Sequence, residues 1–197
     1  MGLEQLVRSS EFSTEVTVLP WNLLKDLLVR TYNQSPLNHD NLVRQLKNAT
    51  ESPEVRQAYL RDMDNIFGRA LNKVLDWRGY ARKMPDHYTI LDLPEQVMAA
   101  TITANDGTVI LAYNRKHADK LMSNRLLGLY VNLHEHGHVR GERSESSTEG
   151  LVGDAAYWVR KALQPFYRVS QKARDIVDQA IAVEIYAVEG AQAQYGR

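Results

Sequence analysis

Three residues carry the clearest chemistry in this chain. His134, Glu135 and His138 stand in the spacing His-Glu-x-x-His, inside Leu133-His134-Glu135-His136-Gly137-His138. On a helix, residues four apart share one face, so the two imidazoles can hold one cation from the same side. Glu135, beside the first of them, is placed to take a proton from an attacking water. With six His and twelve Glu in 197 residues, chance produces this pattern in roughly 1 % of such chains, so the match carries information. His136 lies about 160–200° from the His134/His138 face, which makes it a supporting or exposed residue rather than a ligand. There is no Cys, so any metal site must be built from His, Asp and Glu, a donor set found in hydrolytic zinc sites.

The elements that must position these residues are readable around them. A helix is expected over about 118–139, with Met122, Leu126, Leu129 and Leu133 as its buried stripe. Before it, 96–103 and 108–113 are rich in β-branched residues and flank Ala104-Asn105-Asp106-Gly107, the pattern of a hairpin with an Asp-Gly turn. After it come a loop over 140–147, a helix over 149–163 capped by Ser147 or Thr148, and a last helix over about 167–188 ending at Gly190. Upstream, 14–19 alternates weakly as a short strand, and Pro20 opens a helical stretch to Tyr32. A short helix carries Leu42, Val43 and Leu46. Ser52-Pro53 opens a longer one towards Trp77, with Ser52 as cap and Pro53 at the first position. The fold class expected is α+β, mostly helical. The division expected is a helical N-terminal region over 1–84 and a second domain over 85–197.

Strands, then a helix bearing His-Glu-x-x-His, then a helix bringing a carboxylate, resembles the zincin metallopeptidase superfamily, especially its Glu-zincin type, over roughly residues 88–163. The resemblance implies a zincin-like core and a zinc ion held by His134, His138 and a Glu on the following helix. Glu149 best matches that Glu, ahead of Asp154, Glu142 and Glu145. Glu149-Gly150-Leu151-Val152-Gly153-Asp154-Ala155-Ala156 follows part of the family pattern Glu-x-x-Ala-Asp-x-x-Ala. Gly153 stands where the Asp is expected, and Asp154, one residue late, points about 140° away from Glu149. The metzincin pattern fits less well: Gly141 is in place, but Ser144 occupies the last ligand position and no Met follows Met122. The implied activity is zinc-dependent hydrolysis of peptide bonds, with Glu135 as general base and Tyr157 as a candidate for steadying the oxyanion. The outer strand of the hairpin could pair with an extended substrate.

Composition limits the rest. Lys+Arg and Asp+Glu number 24 each, for a formal net charge of zero. This balance argues against a protein whose main task is gripping nucleic acid or an anionic membrane. The basic-aromatic stretch Arg78 to Lys83 reads better as a solvated face. Neither a secretory leader nor a membrane-spanning run is visible, so an intracellular location is expected, with a virion-associated or injected protein as a variant. The expected partner is a protein or peptide substrate. The N-terminal helices could also contact an assembly partner. The competing class is a non-enzymatic structural or assembly protein with a structural or vestigial zinc site, in which the fourth ligand position is closed.

Overall fold

A computed structural model describes residues 39–104 and 106–195. The strand expected at 14–19 and the helix expected at 21–32 lie outside the described residues. Seven α-helices are described: α1 (His39–Lys47), α2 (Pro53–Asp64), α3 (Ile66–Trp77), α4 (Ala118–Ser123), α5 (Arg125–Val139), α6 (Glu145–Leu163) and α7 (Gln171–Tyr195). Three strands accompany them: β1 (His87–Leu91), β2 (Ala99–Thr103) and β3 (Val109–Asn114). The fold is thus α+β and mostly helical, as expected.

Two expected helices are each broken by an asparagine. Ser52 caps α2, its hydroxyl accepting from the Val55 amide, with Pro53 in the first turn. At Asn65 the backbone is extended, and its side-chain oxygen accepts from the Phe67 and Gly68 amides to start α3. Asn124 repeats the device between α4 and α5, accepting from Leu127 N. An Asn side chain satisfies helix-terminal amides that have no partner of their own, so a helix can restart in a new direction. A glycine follows each cap. A Cβ at Gly68 would lie 2.3 Å from the Asp62 carbonyl oxygen, and one at Gly128 would lie 2.3 Å from that of Leu121. The restarted helix therefore abuts the end of the one before it.

The sheet has the order β1-β3-β2. The hairpin forms as expected, β2 antiparallel to β3 with Ala99 opposite Tyr113 and Thr103 opposite Val109. β1 joins the other side of β3 in parallel, His87 opposite Ile110. β3 is buried along its whole length, and its alternation serves two cores. Leu111 and Tyr113 face the larger cluster, built with α2, α3, α5, α6 and α7. Ile110 and Ala112 face a smaller one, closed by Leu42 and Leu46 of α1. Helices from before residue 84 and elements after it contribute to the same larger core. Among the described residues β2 is an edge strand of this sheet, and α5 packs beside it. No described helix is long and apolar enough to cross a membrane.

Candidate metal centre

The last two turns of α5 present His134 and His138 together. Their rings meet edge to face at 4.9 Å, with the two Nε2 atoms 3.1 Å apart. α5 ends at Arg140, Gly141 turns the chain with φ +107°, and α6 starts at Glu145. The start of α6 is four residues earlier than expected. Ser144 is its cap, the hydroxyl accepting from Ser147 N. Ser144, the last-ligand position of the metzincin pattern, is thereby accounted for as a helix cap. With the helix begun at 145, Glu145 and Glu149 sit one turn apart on one face. Gly137 lets α6 close in: a Cβ there would lie 2.8 Å from the Thr148 methyl.

The two glutamates approach His134 from opposite sides. Glu145 Oε2 is 2.9 Å from His134 Nε2, and its Oε1 is 3.5 Å from His138 Nε2. Glu149 Oε1 is 3.0 Å from His134 Nδ1, at an angle that falls short of a hydrogen bond. Among the described residues, His134, His138 and Glu145 form a group that could hold a metal ion, with ligand atoms within 4.8 Å of one another. The carboxylate that joins the two Nε2 atoms is therefore that of Glu145. Glu149, expected as third ligand, lies against the far nitrogen of His134 instead. Asp154 is away on the surface, 3.6 Å from Arg78.

The donor set fits a cation. His138 Nδ1 donates to the Glu142 carbonyl at 2.8 Å, which leaves Nε2 to face the cluster. His134 Nδ1 and Glu149 Oε2 are buried without hydrogen-bond partners. A carboxylate beside the outer nitrogen of a metal-binding His is the usual means of fixing its ring and raising its basicity. Without a cation, protons play that part. Burial opposes charge on His134, but the carboxylates of Glu145 and Glu149 outweigh it and push its pKa up to about 10. Burial also acts against His138, whose pKa the Glu145 carboxylate nonetheless raises. Glu145 is held well below the carboxylate range, the pull of the two histidines overcoming its desolvation. The group is largely buried. His134 and Glu145 keep 13 % and 17 % of their side-chain surface exposed, against 3 % for His138 and 4 % for Glu149.

Other residues support this arrangement. Glu135 is buried, and the Thr101 hydroxyl on β2 donates to its Oε2 at 2.7 Å. Its negative charge acts on both His134 and His138. Tyr130 donates to Glu149 Oε1 at 2.6 Å. Gly190, expected to end the last helix, instead lies inside α7. A Cβ there would sit 2.4 Å from Glu149 Oε1 and 2.8 Å from the Tyr130 hydroxyl, so α7 seals the site from behind. His136 is fully buried between Tyr59 of α2 and Asn72 of α3. Asn72 Oδ1 can only accept, so His136 Nε2 carries the proton and Nδ1 accepts from Tyr59. Burial and the nearby Arg140 push its pKa down to about 3, so it stays neutral. Tyr157 is placed differently from the expectation. It is 40 % exposed, with its ring against Trp158, Arg160 and Lys161. Tyr130, by contrast, is joined to the group through Glu149.

No family model, curated protein or solved structure matches this chain.

Proposed function

We propose that this protein is a zinc-dependent peptidase, with His134, His138 and Glu145 as the metal ligands and Glu135 as general base. The observation that carries the proposal is the convergence of two imidazole nitrogens and one carboxylate, with a second carboxylate buried next to them on the same helix. Two His and one Glu form a ligand set of hydrolytic zinc sites, which keep one position open. Bound there, zinc supplies a Lewis acid that polarises a carbonyl and makes water more acidic. Glu135 takes the proton of the attacking water and returns it to the leaving amine. Thr101 fixes Oε2 of Glu135, so Oε1 is the basic atom. Among the described residues β2 pairs with β3 alone, and Ala99 to Ile102 are buried, so an extended peptide that lies along β2 as a further strand must first uncover this edge. Tyr157 has no role in this reading. The zincin-like core remains part of the proposal, supported by the edge strand beside α5 and the ligand-bearing helix after it.

The burial of the group supports a second reading, in which the cation only staples α5 to α6. Both readings require about one metal ion per chain by elemental analysis. The peptidase reading requires Glu135→Gln to keep the metal and lose cleavage of a denatured protein substrate. Cleavage that persists in this variant, or a wild type without metal, overturns it.

A further inference from the structure

Glu142 lies in the turn between α5 and α6 and touches both halves of the ligand group. Its backbone carbonyl accepts from His138 Nδ1 at 2.8 Å. Its carboxylate Oε1 accepts from the Arg143 and Ser144 amides at 2.7 and 2.8 Å, the two residues that lead into Glu145. Its Oε2 accepts from the Tyr80 hydroxyl. Tyr80 belongs to neither ligand helix. It follows α3, in a loop secured by Arg140, whose buried guanidinium donates to the Tyr80 carbonyl at 3.0 Å, to Asn72 Oδ1 at 2.6 Å and to Asp76 Oδ1 at 2.6 Å. Arg140 also donates to the Ala81 carbonyl. A short turn that includes a positive-φ glycine has little stiffness of its own, so its shape must come from such outside contacts.

We propose that Tyr80 is a positioning residue for the metal centre: by pinning the Glu142 carboxylate, it holds the His138 ring and the first residue of α6 in mutual register. The inference rests on the metal reading above. It means that the helices preceding residue 84 contribute to metal affinity through Tyr80 as well as to the core.

The test is zinc affinity of the full chain, measured by competition with a chromogenic chelator, with the d–d absorption of a Co2+-loaded sample as a second readout. Tyr80→Phe removes one hydroxyl and keeps the ring. It should weaken zinc binding about 10-fold, the low end of the range for losing an outer-shell partner because Tyr80 acts through Glu142, and alter the Co2+ spectrum. Glu142→Gln keeps the backbone carbonyl; its side-chain oxygen can accept from the Arg143 and Ser144 amides while its Nε2 donates to the Tyr80 hydroxyl, so it should retain most of the affinity. Arg82→Ala loosens the same loop at its ion pair with Asp76 without touching Glu142, and should leave affinity within about twofold. Equal zinc affinity in Tyr80→Phe and wild type, or an equal loss in Arg82→Ala, overturns the inference alone. A wild type that takes up no zinc overturns the metal reading and the inference with it.

Discussion

Gly190 offers a sharp test of how α7 meets the site. An added Cβ would stand 2.4 Å from Glu149 Oε1, about 1 Å inside ordinary contact. Glu149 cannot simply turn aside, because Tyr130 and His134 hold it at 2.6 and 3.0 Å. Either α7 lifts from α6, or the carboxylate moves and breaks its bond to Tyr130. Overpacking costs about 1–3 kcal/mol, and losing a buried hydrogen bond to a charged group about 1.5–3. Replacing Gly by Ala inside a helix returns about 1 kcal/mol. Gly190→Ala should therefore destabilise the protein by up to about 2 kcal/mol in urea unfolding. Gly150, in α6, has open space where its Cβ would go. Gly150→Ala should stabilise by about 0.5–1 kcal/mol. If Gly190→Ala instead matches Gly150→Ala, α7 does not lie against Glu149, and the closed back of the site is wrong.

Glu145→Ala should abolish tight zinc retention in an equilibrium-dialysis assay, whereas Glu149→Gln should weaken it by about 10- to 100-fold and Asp154→Ala should not change it. The reverse order of the two glutamates would return the ligand role to Glu149. Asn124→Ala removes the cap of the ligand helix and should cost about 1 kcal/mol by denaturant unfolding; a neutral result would mean that α4 and α5 are not separately capped. In the metal-free protein the His134–Glu145 pair sets a pH dependence. The His134 pKa is raised, so its contribution is complete below the ordinary 6.5 and lost as pH rises through about 10. The Glu145 pKa is lowered, so its contribution is complete above the ordinary 4.5 and lost in stronger acid. Metal-free stability should fall from pH 6 to 10, while zinc affinity rises as protons leave the ligands. A flat urea midpoint over that range would contradict the pairing.

Local signals foretold much of this architecture. The His134/His138 face, the hairpin and the start of α2 at Ser52-Pro53 each depend on neighbours a few residues apart, and each appears in the structure. The breaks at Asn65 and Asn124 fall within apolar stripes that continue at helical spacing across them, so periodicity alone joins the pieces. The Asn followed by a Gly three or four residues later was the available cue. The start of α6 turned on its cap, which is Ser144 where Ser147 or Thr148 was expected. Choosing Ser144 would have put Glu145 on the face of Glu149. Gly190 looked like a helix stop because a glycine usually is one. Its reason is a carboxylate 41 positions earlier in the chain, which no local pattern can reveal. The same holds for Tyr59 and Asn72 at His136, Thr101 at Glu135 and Tyr80 at Glu142: all are contacts between distant segments.

The central claim concerns which atoms hold the ion. An anomalous difference map at the zinc edge, from crystals of zinc-loaded protein, tests it most directly. The account predicts one peak about 2.0–2.1 Å from Nε2 of His134 and of His138, and about 2.0–2.2 Å from a Glu145 oxygen, with Glu149 beside Nδ1 of His134. No peak at this site, or a peak ligated by Glu149 in place of Glu145, would contradict it.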